Sequence, residues 1–91
     1  MYAFIKAGVK KLTVNDAVAM RITKLMRSKG ITQYRLEQDS GIFHGAMDRI
    51  LQGKNSTVSF TTVFRLARGF HMTIEEFIDD DVFRRDDIEL D

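Results

Sequence analysis

The chain has no cysteine, no proline, only two histidines and no long hydrophobic run. Without cysteine there are no disulfides, no thiolate metal sites and no cysteine nucleophile, which suits a reducing compartment. His44 and His71 lie far apart with no metal-ligand spacing, so no metal or other cofactor is expected, and each histidine reads first as a surface or half-buried side chain. Lys6 interrupts the apolar start before a signal-like run forms. No stretch approaches the ~20 apolar residues that a membrane span needs, so a cytoplasmic protein without membrane contact is expected. No phosphate loop, dinucleotide fingerprint or repeat is present. Ser40, His44 and Asp48 are triad-type residues, but their helix and turn positions do not converge on a nucleophile, and no enzyme is expected.

What is present fits one domain. Its 91 residues and 44% hydrophobic content suffice for a single modest core. The net charge of +1 conceals a strong asymmetry. Residues 1–72 hold twelve Lys or Arg against four Asp or Glu, about +8, and residues 73–91 hold two against nine, about −7. A basic body with an acidic end suits a binder of polyanions.

With proline absent, glycines and capping residues punctuate the chain. Residues 1–13, with Lys6, Lys10 and Lys11 among Tyr2, Phe4, Ile5 and Val9, show no clean period and read as a basic arm. Asn15 is a candidate cap for a helix over 15–29, with Val18, Ile22, Leu25 and Met26 on one face, Arg21, Lys24, Arg27 and Lys29 on others, and Gly30 at its end. Thr32 caps a second helix through Asp39, and a third runs from Phe43 to Gln52 with Met47, Ile50 and Leu51 apolar. Ser59 caps a fourth, whose stripe is Phe60, Val63, Ala67 and Phe70, widened by Leu66. Thr73 and Glu76 form a capping box for a fifth, with Ile74, Phe77 and Ile78 toward the core. No strand alternation is sustained, so the expected fold is all-α, with a domain over 14–80 and an acidic tail over 81–91.

The stretch from Thr32 to Gly53 is the most informative. Two short helices joined by a tight turn must cross steeply, which needs a glycine in the turn (Gly41), an apolar anchor after it (Ile42) and inward anchors on both helices (Leu36; Met47 and Ile50). The other face of the second helix then projects outward and fits a major groove about 12 Å wide.

Thr32-Gln33-Tyr34-Arg35-Leu36, Ser40-Gly41-Ile42, Ile50 and Gly53-Lys54 resemble the helix-turn-helix domain of phage repressors and Cro proteins. Phe60, Val63, Leu66 and Ala67, then Met72 to Phe77, are similar to that family's helices 4 and 5. The resemblance spans about residues 14–80 and implies a five-helix lambda-repressor-like fold. It also implies a transcriptional regulator, a small bacterial or phage-type repressor that binds double-stranded DNA as a homodimer.

Carried onto matching positions, the resemblance places His44, Gly45, Asp48 and Arg49 at or beside the base-reading positions. Thr32, Gln33, Gln52, Lys54, Asn55 and Thr57 fall where the family meets the DNA backbone. Chemistry supports some of these roles independently. Arginine pairs bidentately with guanine O6 and N7, and lysine donates to phosphate. The structural alternative for Arg49 is a salt bridge to Glu37 or Asp48.

Four residues depart from the family pattern. Phe43 stands where a small cap is usual. Gly45 removes a reader and costs roughly 1 kcal/mol of helix propensity against alanine. Asp48 brings negative charge toward phosphates. Glu37 replaces a small residue, so it is expected to pair with an arginine or to hold the two helices slightly apart. These departures motivate the competing reading of an antitoxin or other protein-interaction module on the same fold, with a toxin or similar protein as partner.

The tail admits three readings: a solubilising extension, a dimer element using Val82, Phe83, Ile88 and Leu90, or a self-inhibitory segment competing with DNA. For the arm, a minor-groove contact through Lys10 and Lys11 stands beside a covering role.

Overall fold

The computed structural model describes residues 11–90. Within them lie five α-helices, α1 (Val14–Lys29), α2 (Gln33–Ser40), α3 (His44–Leu51), α4 (Phe60–Gly69) and α5 (Ile74–Ile78), followed by a 3₁₀ turn (Asp81–Phe83). The extended pairing among the described residues is an isolated parallel bridge between Thr13 and Glu89. The all-α expectation holds. Most of the arm, including Lys6 and Lys10, lies outside the described residues.

Capping explains where the helices start. The Oγ of Thr32, Ser59 and Thr73 accepts an N–H from the third residue of the helix that follows. At α1 the cap is Thr13 rather than Asn15. Thr13 Oγ1 accepts from the Asp16 N–H at 3.0 Å, and Asp16 Oδ2 accepts from the Thr13 N–H at 3.0 Å. This reciprocal box satisfies two end amides at once, which a lone asparagine cannot do. Asn15 is instead fully buried inside α1, where its Nδ2 donates to the Ile50 carbonyl at 2.9 Å and ties α1 to the end of α3.

Leu36, Met47, Leu66, Phe70 and Phe77 meet Val18 and Ile22 of α1 in one core. Helix α2 lies on α4, α1 on α3, and α5 on α4. The α2–α4 approach is close enough to require a glycine: a Cβ at Gly69 would stand 2.8 Å from both Leu36 Cδ1 and Ser40 Cβ. Two expected core residues are displaced. Phe60 is 67% exposed, because the first turn of α4 extends past the core, and its ring packs edge-on against Phe64. Ile78 is 45% exposed because the short α5 turns only Phe77 fully inward.

Arg21, which the sequence reading set outside the apolar face of α1, is the largest departure from what its position there suggests. It is 8% exposed. Its Nε donates to the Phe77 carbonyl at 2.7 Å, Nη2 to the Glu76 carbonyl at 2.9 Å and Nη1 to Asp80 Oδ2 at 3.1 Å. A five-residue helix leaves its last carbonyls without intrahelical partners, and one guanidinium supplies the donors.

The start of the acidic tail packs on this bundle. Val82 is buried and Phe83 lies against Phe77, so these apolar residues, which had no evident place in the sequence, close the end of the core. Arg84 pairs with Asp79 and Asp81, Arg85 pairs with Asp87, and the Glu89 N–H donates to the Leu12 carbonyl at 2.8 Å.

Candidate nucleic-acid interface

The α2–α3 corner consists of Gly41, Ile42 and Phe43. Gly41 adopts φ 74°, a left-handed conformation that reverses the chain after α2. Ile42 is buried at the corner, and its N–H donates to Ser40 Oγ at 3.2 Å. Ser40 is thereby engaged in the turn. Of the three triad-type residues, His44 and Asp48 meet and Ser40 bonds elsewhere.

Phe43 occupies the cap position of α3 with no side-chain hydrogen bond. The first-turn amides of α3 therefore have no side-chain acceptor there, an arrangement that suits a phosphate. Along α3, Met47 and Ile50 turn inward, while His44, Gly45 and Arg49 are exposed and Asp48 is half-buried. The core thus anchors one side of the helix and leaves the other available.

The available side is ordered by a network of side chains. The Gln33 amide Nε2 donates to Glu37 Oε2 at 2.8 Å and to Asp48 Oδ1 at 2.9 Å. His44 Nδ1 lies 2.8 Å from Glu37 Oε2, and its Nε2 lies 3.2 Å from Asp48 Oδ2. Glu37 therefore pairs with His44 and Gln33, not with an arginine, and it links α2 to α3. The hydrogen bond to Glu37, then the charge of Asp48, raise the pKa of His44 above its ordinary 6.5. Hydrogen bonds from Gln33, then His44, lower that of Glu37. Because the folded value of His44 is raised, its contribution to stability is fully present below its ordinary value and is lost as pH rises through the raised one.

Beyond α3 the chain turns through Gly53. Its N–H donates to the Ile50 carbonyl and the Lys54 N–H to the Arg49 carbonyl, both at 3.0 Å, with Gly53 at φ 69°. This closure satisfies the end of α3 and needs glycine, since a Cβ would also stand 2.9 Å from Asp16 Oδ1. Arg49 Nη2 donates to Asn55 Oδ1 at 3.0 Å. That contact, rather than a salt bridge to Glu37 or Asp48, braces the arginine against the loop. Gln52, Lys54 and Thr57 are exposed around it.

The expected site residues thus fall into two groups. Gln33, His44 and Asp48 meet in the network, and Arg49 and Asn55 meet at the loop. Thr32 spends its hydroxyl on the Arg35 N–H at 3.1 Å. Gly45 faces open space, with no atom within 4 Å of an added Cβ. Gly45→Ala is accordingly expected to raise stability by about 1 kcal/mol, read as a higher urea midpoint with an unchanged slope. A lower midpoint would mean that the site is not open.

Residues 21–81 match the family model of the Cro/C1-type HTH DNA-binding domain. The chain belongs to this family. The match covers the corner, α3 and the loop that carry the geometry described above. As a Cro/C1-type domain the chain is a DNA-binding regulator, and double-stranded DNA is its partner. No curated protein and no solved structure matches it. No helix among the described residues is long and apolar enough to cross a membrane.

Proposed function

We infer that this Cro/C1-type chain is a sequence-specific repressor of the small bacterial or phage type, which seats α3 in the major groove. His44, Gly45, Asp48 and Arg49 face the bases. Thr32, Gln33, Gln52, Lys54, Asn55 and Thr57 follow the sugar-phosphate backbone. The observation that carries this reading is the exposed face of α3, with Arg49 held by Asn55 beside the Lys54 loop. Arginine in that setting offers two donors to guanine O6 and N7. An eight-residue helix reads few base pairs, so the chain works as a homodimer on a two-fold site, with half-sites about one turn or roughly 34 Å apart.

Two variants separate reading from holding. Arg49→Ala is expected to cost about 1–3 kcal/mol on the preferred site and little on scrambled DNA, which relaxes the preference. Lys54→Ala is expected to weaken binding to all sequences alike and to reduce the salt slope by about one. Titrations of matched and scrambled duplexes at several salt concentrations check both. An unchanged preference in Arg49→Ala removes this assignment of α3.

A further inference from the structure

The polar ring across the α2–α3 corner has an uneven supply of donors and acceptors. Gln33 gives both hydrogens of its amide nitrogen to Glu37 and Asp48. His44 faces a carboxylate with each ring nitrogen, Glu37 from α2 and Asp48 on its own helix. Both nitrogens donate when the ring is an imidazolium. The Gln33 donors are then spent inside the ring, and both ring nitrogens of His44 face its carboxylates.

What remains for a ligand is acceptor capacity. Glu37 has a side chain only 9% exposed, whereas that of Asp48 is 40% exposed. Asp48 Oδ1 accepts from Gln33 and Oδ2 lies 3.2 Å from His44 Nε2, so each oxygen retains a lone-pair site. In the major groove the complementary groups are the amino groups of cytosine N4 and adenine N6. The adenine amino group stands beside the N7 acceptor, which repels a carboxylate. The cytosine amino group has only C5–H beside it. Guanine and thymine present acceptors and are disfavoured.

Building on the reading of α3 given above, we propose that Asp48 selects cytosine through its N4 amino group. In the same proposal Glu37 is a positioning residue that holds Asp48 for this contact through His44 and Gln33. Glu37 contacts no base itself. The protonated His44 leaves the two carboxylates with one net negative charge rather than two, which lessens repulsion by phosphate. Deprotonation therefore weakens DNA binding as pH rises, and Glu37 and Asp48 shift that loss above the ordinary imidazole value.

The test selects sites from a random duplex library with the full chain and with Asp48→Asn, Glu37→Ala, Glu37→Gln and Arg49→Ala. Titrations of single-base variants follow, with circular dichroism confirming the fold. The wild-type site is expected to contain a cytosine whose replacement weakens binding about ten- to a hundredfold. In Asp48→Asn the preference at that position moves to adenine, because an amide pairs with both N6 and N7. Glu37→Ala flattens the cytosine preference without weakening binding to scrambled DNA. Glu37→Gln keeps an acceptor for His44 and Gln33, so it retains the preference but shows a smaller loss of affinity between about pH 6 and about pH 8.

If Asp48→Asn leaves the preference unchanged while Arg49→Ala alters the motif, the proposal is overturned and α3 remains the reading helix. If no version enriches a motif, the sequence-specific reading falls together with it. Should Glu37→Ala not fold, Asp48→Asn and Glu37→Gln decide the matter by the same criteria.

Discussion

Arg21→Ala is expected to destabilise the domain by about 3 kcal/mol or more, the range found when one partner of a buried ion pair is removed. The variant leaves the Phe77 carbonyl without its guanidinium donor, the Glu76 carbonyl with only the Asp79 N–H at 3.3 Å, and Asp80 with the exposed Lys24 at 2.8 Å and the Val82 N–H at 2.9 Å. Arg21→Lys should recover little, since one ammonium cannot reproduce three bonds in a planar fork. Urea unfolding checks this, and a loss below about 1 kcal/mol would contradict the account of Arg21 as the cap of α5. The same cluster predicts acid sensitivity. The Lys24 hydrogen bond, then the Val82 N–H, lower the pKa of Asp80 from its ordinary 3.8. Its stabilisation is therefore present above that value and is lost as pH falls through the lowered one, so Asp80→Asn should flatten this part of the acid profile.

Phe77→Ala is expected to cost about 3–5 kcal/mol, the usual range for emptying a buried aromatic site. The ring is fully buried, with Phe70 at 6.4 Å, Phe83 at 6.2 Å and the Arg21 guanidinium carbon at 6.0 Å from its centre. Its surroundings come from α1, α4 and the 3₁₀ turn, so no single element can collapse to fill the space. Because Arg21 both covers the ring and bonds the Phe77 carbonyl, the two truncations should not add: the double variant should lose less than the sum. Strict additivity would mean that the guanidinium and ring act independently. Neither residue touches the α3 face, so both variants should keep the wild-type base preference at temperatures where they remain folded.

Helix boundaries were the most legible part of the sequence, because their signals are local. Thr32, Ser59 and the Thr73–Glu76 box all cap as their spacing suggests. Asn15 misled because asparagine is also a good cap. The Thr13–Asp16 spacing was the better signal, since a box satisfies two amides. Arg21 was hidden for a different reason. A charged residue beside an apolar stripe reads as solvent-facing unless the acceptors at the far end of the chain are known. At the α2–α3 corner the sequence shows pairs of polar residues but not their wiring. Gln33–Glu37 and His44–Asp48 are each spaced four apart on a helix, a visible pairing signal. That the two pairs join into one ring depends on the crossing at Gly41 and Ile42, which spacing alone does not specify.

We propose that the outward face of α3 reads a two-fold DNA site. Selection from a random duplex library with the full-length chain, at low and at moderate salt, tests it most directly. An enriched two-fold motif with half-sites about one helical turn apart is expected, with an affinity that falls steeply with salt. DNA retained at low salt with no enriched motif, or no retention at either salt, would contradict it.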